Sequence, residues 1–358
     1  MQESLTKESI ALLKKLITTP SFSKEEVHTA SLLEEWYTNH NIPFHRKENN
    51  IWAFNAHFDA SKPTILLNSH HDTVKPNKNY TRDPFEATLD DGKLYGLGSN
   101  DAGGCLVSLM ATFAYFYKKK DLNYNLLLAT TAEEEISGDN GVRSILSEKH
   151  FETIEFGIVG EPTLLDLAIA EKGLVVMDIK VIGTSGHAAH IYDNQAMMRA
   201  TDVLQWFKNY EFPKVSKQLG KVKMTVTQVQ AGSQHNVVPS EVNLVVDIRV
   251  NDKYTNKEIF ETINTAIGSE YITVTPRSLR LNSSSIPEDH AIVQAGIALG
   301  KTVYGSPTIS DQANFLNFPS LKVGPGDSKR SHSADEFIYL QEIEEGIKTY
   351  IALLDAIL

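Results

Sequence analysis

The sequence holds a single cysteine, Cys105. That excludes a disulfide framework and a cysteine-rich zinc module. It has no surplus of positive charge. The 34 Lys and Arg stand against 45 Asp and Glu, for a formal charge of -11, so the basic face of a nucleic-acid-binding protein is not expected. No apolar run approaches the ~18–20 residues of a membrane span. There is no internal repeat, no low-complexity segment, and no G-x-S-x-G elbow to support serine-hydrolase chemistry. The opening MQESLTKESIALLKKLIT lacks an apolar h-region and a cleavage site, so a cytoplasmic location is expected. Apolar residues at 41% and charged residues at 22% exclude gross disorder. A length of 358 residues suits one large domain or two ordinary ones.

What is present is an alternation of apolar runs. Leu5, Ile10, Leu12, Leu13, Leu16 and Ile17 fit one face of a helix. Thr19-Pro20-Ser21 ends it, and Ser23, Glu25 and Glu26 open a second helix running to about Asn39. Residues 51–54, 64–67, 125–131 and 156–160 read as strands, and 102–117 as a buried helix, which together predict an α/β sheet. After Gly173 the pattern changes. Residues 174–182, 221–229, 241–250 and 271–278 read as strands, and 194–210 and 257–267 as helices. The order βαββαβ is that of a ferredoxin-like α+β unit. The expected division is 174–284 as an inserted domain, with 1–173 and 285–358 forming the other.

Metal-type side chains follow several of these strands. His70 and Asp72 come after 65–67, Asp101 after the turn 96–100, Glu133, Glu134 and Glu135 after 126–131, Glu161 after 156–160, and His332 after 321–326. Ligands of open α/β sheets gather at the carboxyl ends of strands. Imidazoles with carboxylates form a zinc-type donor set, and a two-metal site needs a bridging carboxylate. Each piece alone has an ordinary explanation. An HxD is usually a turn with a surface histidine, and three glutamates suit a helix start. Gly96-x-Gly98 is a poor dinucleotide loop. Cys105, inside the buried helix, reads as core packing.

The pieces in sequence carry more. SHHDTVKP (69–76), YGLGSNDAGG (95–104), TTAEEEISG (130–138), VGEPT (159–163), GHAAH (186–190), HNVVP (235–239), DIR (247–249) and GPGDSKRSHSADE (324–336) span nearly the whole chain. In this order they resemble the di-zinc amidohydrolase and peptidase family of acetylornithine deacetylase, succinyl-diaminopimelate desuccinylase, aminoacylase and carboxypeptidase G. The resemblance implies a zinc-exopeptidase-like catalytic domain with a central mixed sheet, and an inserted dimerisation or lid domain. It implies two divalent metal ions, zinc or alternatively cobalt. His70 and Glu161 would hold one ion, Glu135 and His332 the other, and Asp101 would bridge them. Asp72 would orient His70, and Glu134 would be the general base. The family's acid-Glu-Glu order makes Glu133 the leading acidic residue, and His71 then points elsewhere. The peptide bond after Asp101 would be cis.

By the same resemblance His187 stabilises the oxyanion, often from a partner subunit, and Asn236 and Arg249 contact the substrate. The backbone near Gly324 would meet the substrate α-carboxylate. Lys329 and Arg330 are either a solvated loop or cations at the acyl pocket. The implied activity is hydrolysis of an N-acyl amino acid by a homodimer joined through 174–284, most closely N-acetylornithine in arginine biosynthesis. N-succinylornithine, N-acylcitrulline and succinyl-diaminopimelate are alternatives, then aminoacylase or dipeptidase activity. A non-catalytic binding protein is the reading from another class.

Overall fold

The computed structural model describes residues 2–358. They divide into two compact units, one of residues 2–169, 285–304 and 310–358, the other of 170–284 and 305–309. In the first, a mixed sheet runs in the order His45–Lys47, Asn50–Phe54, Asn125–Thr131, Thr64–His70, Ile154–Val159, Ser320–Lys322, Leu167–Glu171. The four central strands from Asn125–Thr131 to Ser320–Lys322 are mutually parallel. Thr64–His70 and Asn125–Thr131 are buried at every position. A parallel strand covered on both faces reads as a continuous apolar run, which is why 64–67 and 125–131 stand out in the sequence. Helices Gln2–Ile17, Val27–Asn39, Gly104–Phe116 and Leu340–Asp355 supply Leu13, Leu33, Leu109, Phe113, Phe116 and Tyr350 to the core beside Ile65, Leu67 and Leu128. Burying each such side chain stabilises the fold by about 1.5–3 kcal/mol before entropy is counted. A small antiparallel sheet pairs Thr88–Asp90 with Lys93–Tyr95, and Lys93–Tyr95 with Phe337–Tyr339.

The second unit is an antiparallel sheet in the order Lys223–Ala231, Glu241–Val250, Gly173–Ile182, Ile272–Pro276. Helices Ala196–Asn209 and Asn256–Ile267 follow the first and third strands of the chain. This is the βαββαβ connection. Val175, Met177, Ile179 and Val181 alternate inward and meet Val242, Leu244, Val246, Val203, Phe207, Ile259 and Ile263. One covered face produces period-two alternation. Gly305–Ile309 groups with this unit, whereas the sequence reading leaves it in the tail. Its Ser306 carbonyl accepts from the Lys172 amide at 3.1 Å.

Candidate metal centre

The carboxyl ends of the parallel strands bring the candidate ligands of the first unit together. His70 is the last residue of its strand and is buried. Its Nε2 lies 3.4 Å from Asp101 Oδ1, 3.8 Å from Glu161 Oε1 and 4.0 Å from Glu134 Oε2. It has no hydrogen-bond partner among the described residues. His332 Nε2 lies 3.0 Å from Glu135 Oε2 and 3.7 Å from Asp101 Oδ2. The two oxygens of Asp101 therefore face different histidines. His70, Asp101 and Glu161 form one group of donors within 4.8 Å of one another, and Asp101, Glu135 and His332 a second. Glu134 belongs to neither. The Asp101–Ala102 peptide bond is cis.

The charges fit a cation. Burial, then Asp101, pushes the Glu161 carboxyl up to about 8. Burial, together with Glu161, Asp311 and Glu135, holds Glu134 well above the usual carboxylate range. Glu135 is also raised, chiefly by burial. His70 moves the other way from what burial dictates, because Asp101 and Asp72 face its ring and hold the proton on. Carboxylates crowded in a water-poor pocket need positive charge. A buried imidazole nitrogen with no hydrogen-bond partner among the described residues, facing three carboxylate oxygens, suits a coordinating role. Nitrogen and oxygen donors in this mixture suit divalent zinc-type ions. The residues present fit two metal ions, with Asp101 shared.

Asp72 has a wider task than the sequence suggests. The His70 Nδ1 hydrogen bond goes to the Asp72 carbonyl at 3.0 Å, with the carboxylate Oδ1 at 3.4 Å. The carboxylate accepts from the backbone amides of Glu134 and Glu135, at 3.0 and 3.2 Å, and from the Ser23 hydroxyl at 2.7 Å. Glu133 adopts a left-handed backbone, φ 53°, and its carboxylate turns away to Asn140. The three consecutive glutamates thus separate by direction. His71 also points away, bonded to Thr29 and to the Asn49 carbonyl, and burial lowers it to about 4. Cys105 is buried and donates to the Pro325 carbonyl, in keeping with a packing role.

Two expected substrate contacts in this unit have other partners. The Gly324 amide donates to Thr163 Oγ1, and its carbonyl accepts from Thr163 and Leu165. A Cβ there would meet Cys105 Sγ at 2.6 Å, so Gly324 is a packing position with no free backbone group. Arg330 pairs bidentately with Glu342, at 2.7 and 2.8 Å, and lies over the Phe337 ring. In the second unit, Arg249 pairs with Asp247, its neighbour on the same strand face. His187 is exposed, and its strand pairs with Val237–Val238 beside Asn236, whose carbonyl accepts from Ala188.

Ser23, Glu26, Asp311 and Glu336 are supports that the sequence did not single out for the site. Glu26, fully buried, accepts from the amides of Lys24 and Glu133 and from Asn49. Ser23 and Glu26 read locally as a helix start, yet the helix begins at Val27. Their partners, Asp72 and Glu133, are far away in the chain and leave no local pattern. Asp311 accepts from Thr131 Oγ1 at 2.9 Å, and burial pushes its carboxyl up to about 7.

Residues 66–356 match the family model described as peptidase family M20/M25/M40. Acetylornithine deacetylase of Salmonella heidelberg (strain SL476) is 28% identical over 366 residues, covering 92% of each chain. Succinyl-diaminopimelate desuccinylase of Pelagibacter ubique (strain HTCC1062) is 26% identical over 279 residues, covering 72% of each. Among solved structures, a Staphylococcus aureus tripeptidase superposes with a TM-score of 0.76 at 20% identity, over 98% of this chain and 97% of that one. A Bacillus subtilis dinuclear metal-binding peptidase superposes at 0.74 and 17% identity, over 99% and 98%. These two likenesses show the fold. Site geometry, fold and matched span agree, and the chain belongs to the M20/M25/M40 peptidase family, as a metal-dependent amidohydrolase.

Proposed function

We propose that the protein hydrolyses the amide bond of N-acetylornithine, releasing ornithine and acetate, in arginine biosynthesis. The observation that carries the hydrolytic reading is the placement of Asp101. Its two oxygens face His70 and His332, while Glu134, belonging to neither donor group, lies 4.0 Å from His70. His70, Glu161, Asp101, Glu135 and His332 would hold two zinc ions. Divalent ions at such a site lower the pKa of water and polarise a carbonyl. Glu134 then accepts the proton of the attacking water and returns it to the departing amine. Asp72 keeps Glu134 and Glu135 in place through their amides.

The substrate assignment is supported by the acetylornithine deacetylase of Salmonella heidelberg, which aligns over 92% of both chains, against 72% for the desuccinylase. The succinyl reading calls for a cation free to meet a second carboxylate; of its two candidates Arg330 is already engaged by Glu342 and Lys329 is exposed to solvent. The test is kcat/KM of metal-loaded protein on N-acetylornithine, N-acetylcitrulline, N-succinylornithine, N-succinyl-diaminopimelate and a set of dipeptides. The acetyl amino acids should lead. A clear preference for the succinyl compounds overturns the acetyl assignment, and activity on dipeptides alone overturns the ornithine-type reading.

A further inference from the structure

The segment that carries His332 also grips the loop that carries Asp101. Glu336 is only 2% exposed. Its Oε1 accepts from the amides of Asn100 and Asp101 at 2.8 and 2.9 Å, and its Oε2 from the amide of Gly98 at 3.2 Å. Its own carbonyl accepts from the Gly96 amide at 3.0 Å. One residue thus receives four backbone N–H groups of the turn leading to Asp101. Buried amides must find acceptors, and convergent amides form an anion cradle. Gly98 takes φ 73° within this turn, a conformation with little steric cost only for glycine. Immediately after Glu336, Phe337–Tyr339 pairs with Lys93–Tyr95, the strand that enters the turn. The pairing therefore opens directly into two ligand-bearing loops, one ending at Asp101 and the other at His332. The neighbouring Asp335 accepts from the amides of Thr81 and Arg82, which ties down the loop on the other side.

We propose that Glu336 is a positioning residue of the metal centre, whose carboxylate holds the Asp101 loop in register with His332. This rests on the metal-centre reading above. Glu336→Gln keeps the shape but sets an amide N–H2 against a backbone donor. His70 and Glu161 lie outside the gripped segments, so the Asp101–Glu135–His332 group should suffer most. In Co2+ titrations of the metal-free full chain, followed by visible absorption, E336Q should bind the second ion about 10- to 100-fold more weakly than wild type, with an altered spectrum. A merely structural glutamate would lower the melting temperature and leave affinity and spectrum of the folded protein unchanged, and that result overturns the proposal. Amide hydrogen exchange separates this from failure of the metal reading. Even in wild type that takes up no cation, the Gly98, Asn100 and Asp101 amides should exchange slowly, and those that face the new N–H2 group at least about tenfold faster in E336Q. Equal exchange overturns the clamp. Should E336Q not fold, Glu336→Asp, which withdraws the charge by one methylene, is judged by the same two readouts.

Discussion

Glu134 gains its character from what surrounds it. It shares a buried pocket with Glu161, Asp311 and Glu135, and its amide is fixed by Asp72. A side chain placed there by its backbone, and belonging to neither donor group, suits the base role proposed for it. Glu134→Gln should therefore keep fold and bound metal while turnover falls by about 10²- to 10⁴-fold. Turnover by E134Q near the wild-type rate, with metal content equal, would remove Glu134 from the base role. The polar residues behind this site differ in how visible they are in the sequence. His70 and Glu161 follow apolar runs closely, so a strand-end rule finds them, whereas Asp101 follows the glycine-rich turn 96–100 and is found through its motif. Ser23, Glu26 and Asp311 act on partners distant in the chain, and no local pattern marks them. Arg330 shows the converse. It stands beside His332 in sequence, but a carboxylate one helix away, Glu342, claims its guanidinium.

At the scale of elements, the ligand array depends on how the parallel strands are backed. Helix Gly104–Phe116 leaves the Asp101 turn directly and is buried along nearly its whole length. Such a helix shows no apolar stripe, so it is read from continuous apolar content rather than period. Phe113 sits in its last turn, fully buried. Phe113→Ala should destabilise the first unit by about 3–5 kcal/mol, the lost transfer energy plus the cavity left behind. Urea unfolding followed by fluorescence of Trp36 and Trp52, in a Trp206→Phe background, reads that unit alone. An unchanged midpoint would show that helix and sheet do not unfold together. The long elements were legible because burial imposes a period or a run. The three-residue strands Thr88–Asp90, Lys93–Tyr95 and Phe337–Tyr339 are too short to impose either, and they are the pairing that joins the two ligand-bearing loops.

At the scale of the whole molecule, a site built in the first unit leaves the role of His187 open, since His187 belongs to the second. Lys223–Ala231 ends the sheet of that unit and is largely exposed along its length, with Val229 uncovered. An edge strand of nine residues, paired with one neighbouring strand among the described residues, invites another strand. This supports the proposal that two copies associate through residues 174–284 about a two-fold axis. In such a dimer, His187 of one copy would serve the oxyanion formed in the other. Complementation decides it. His187→Ala and Glu134→Gln should each be nearly inactive alone. Mixed in equal amounts after subunit exchange, half of the dimers are hybrids. Each hybrid has one site with both Glu134 and His187 intact, so activity should recover to about one quarter of wild type. Proven exchange without recovery would place His187 in the same chain as the Glu134 it serves, or outside the reaction.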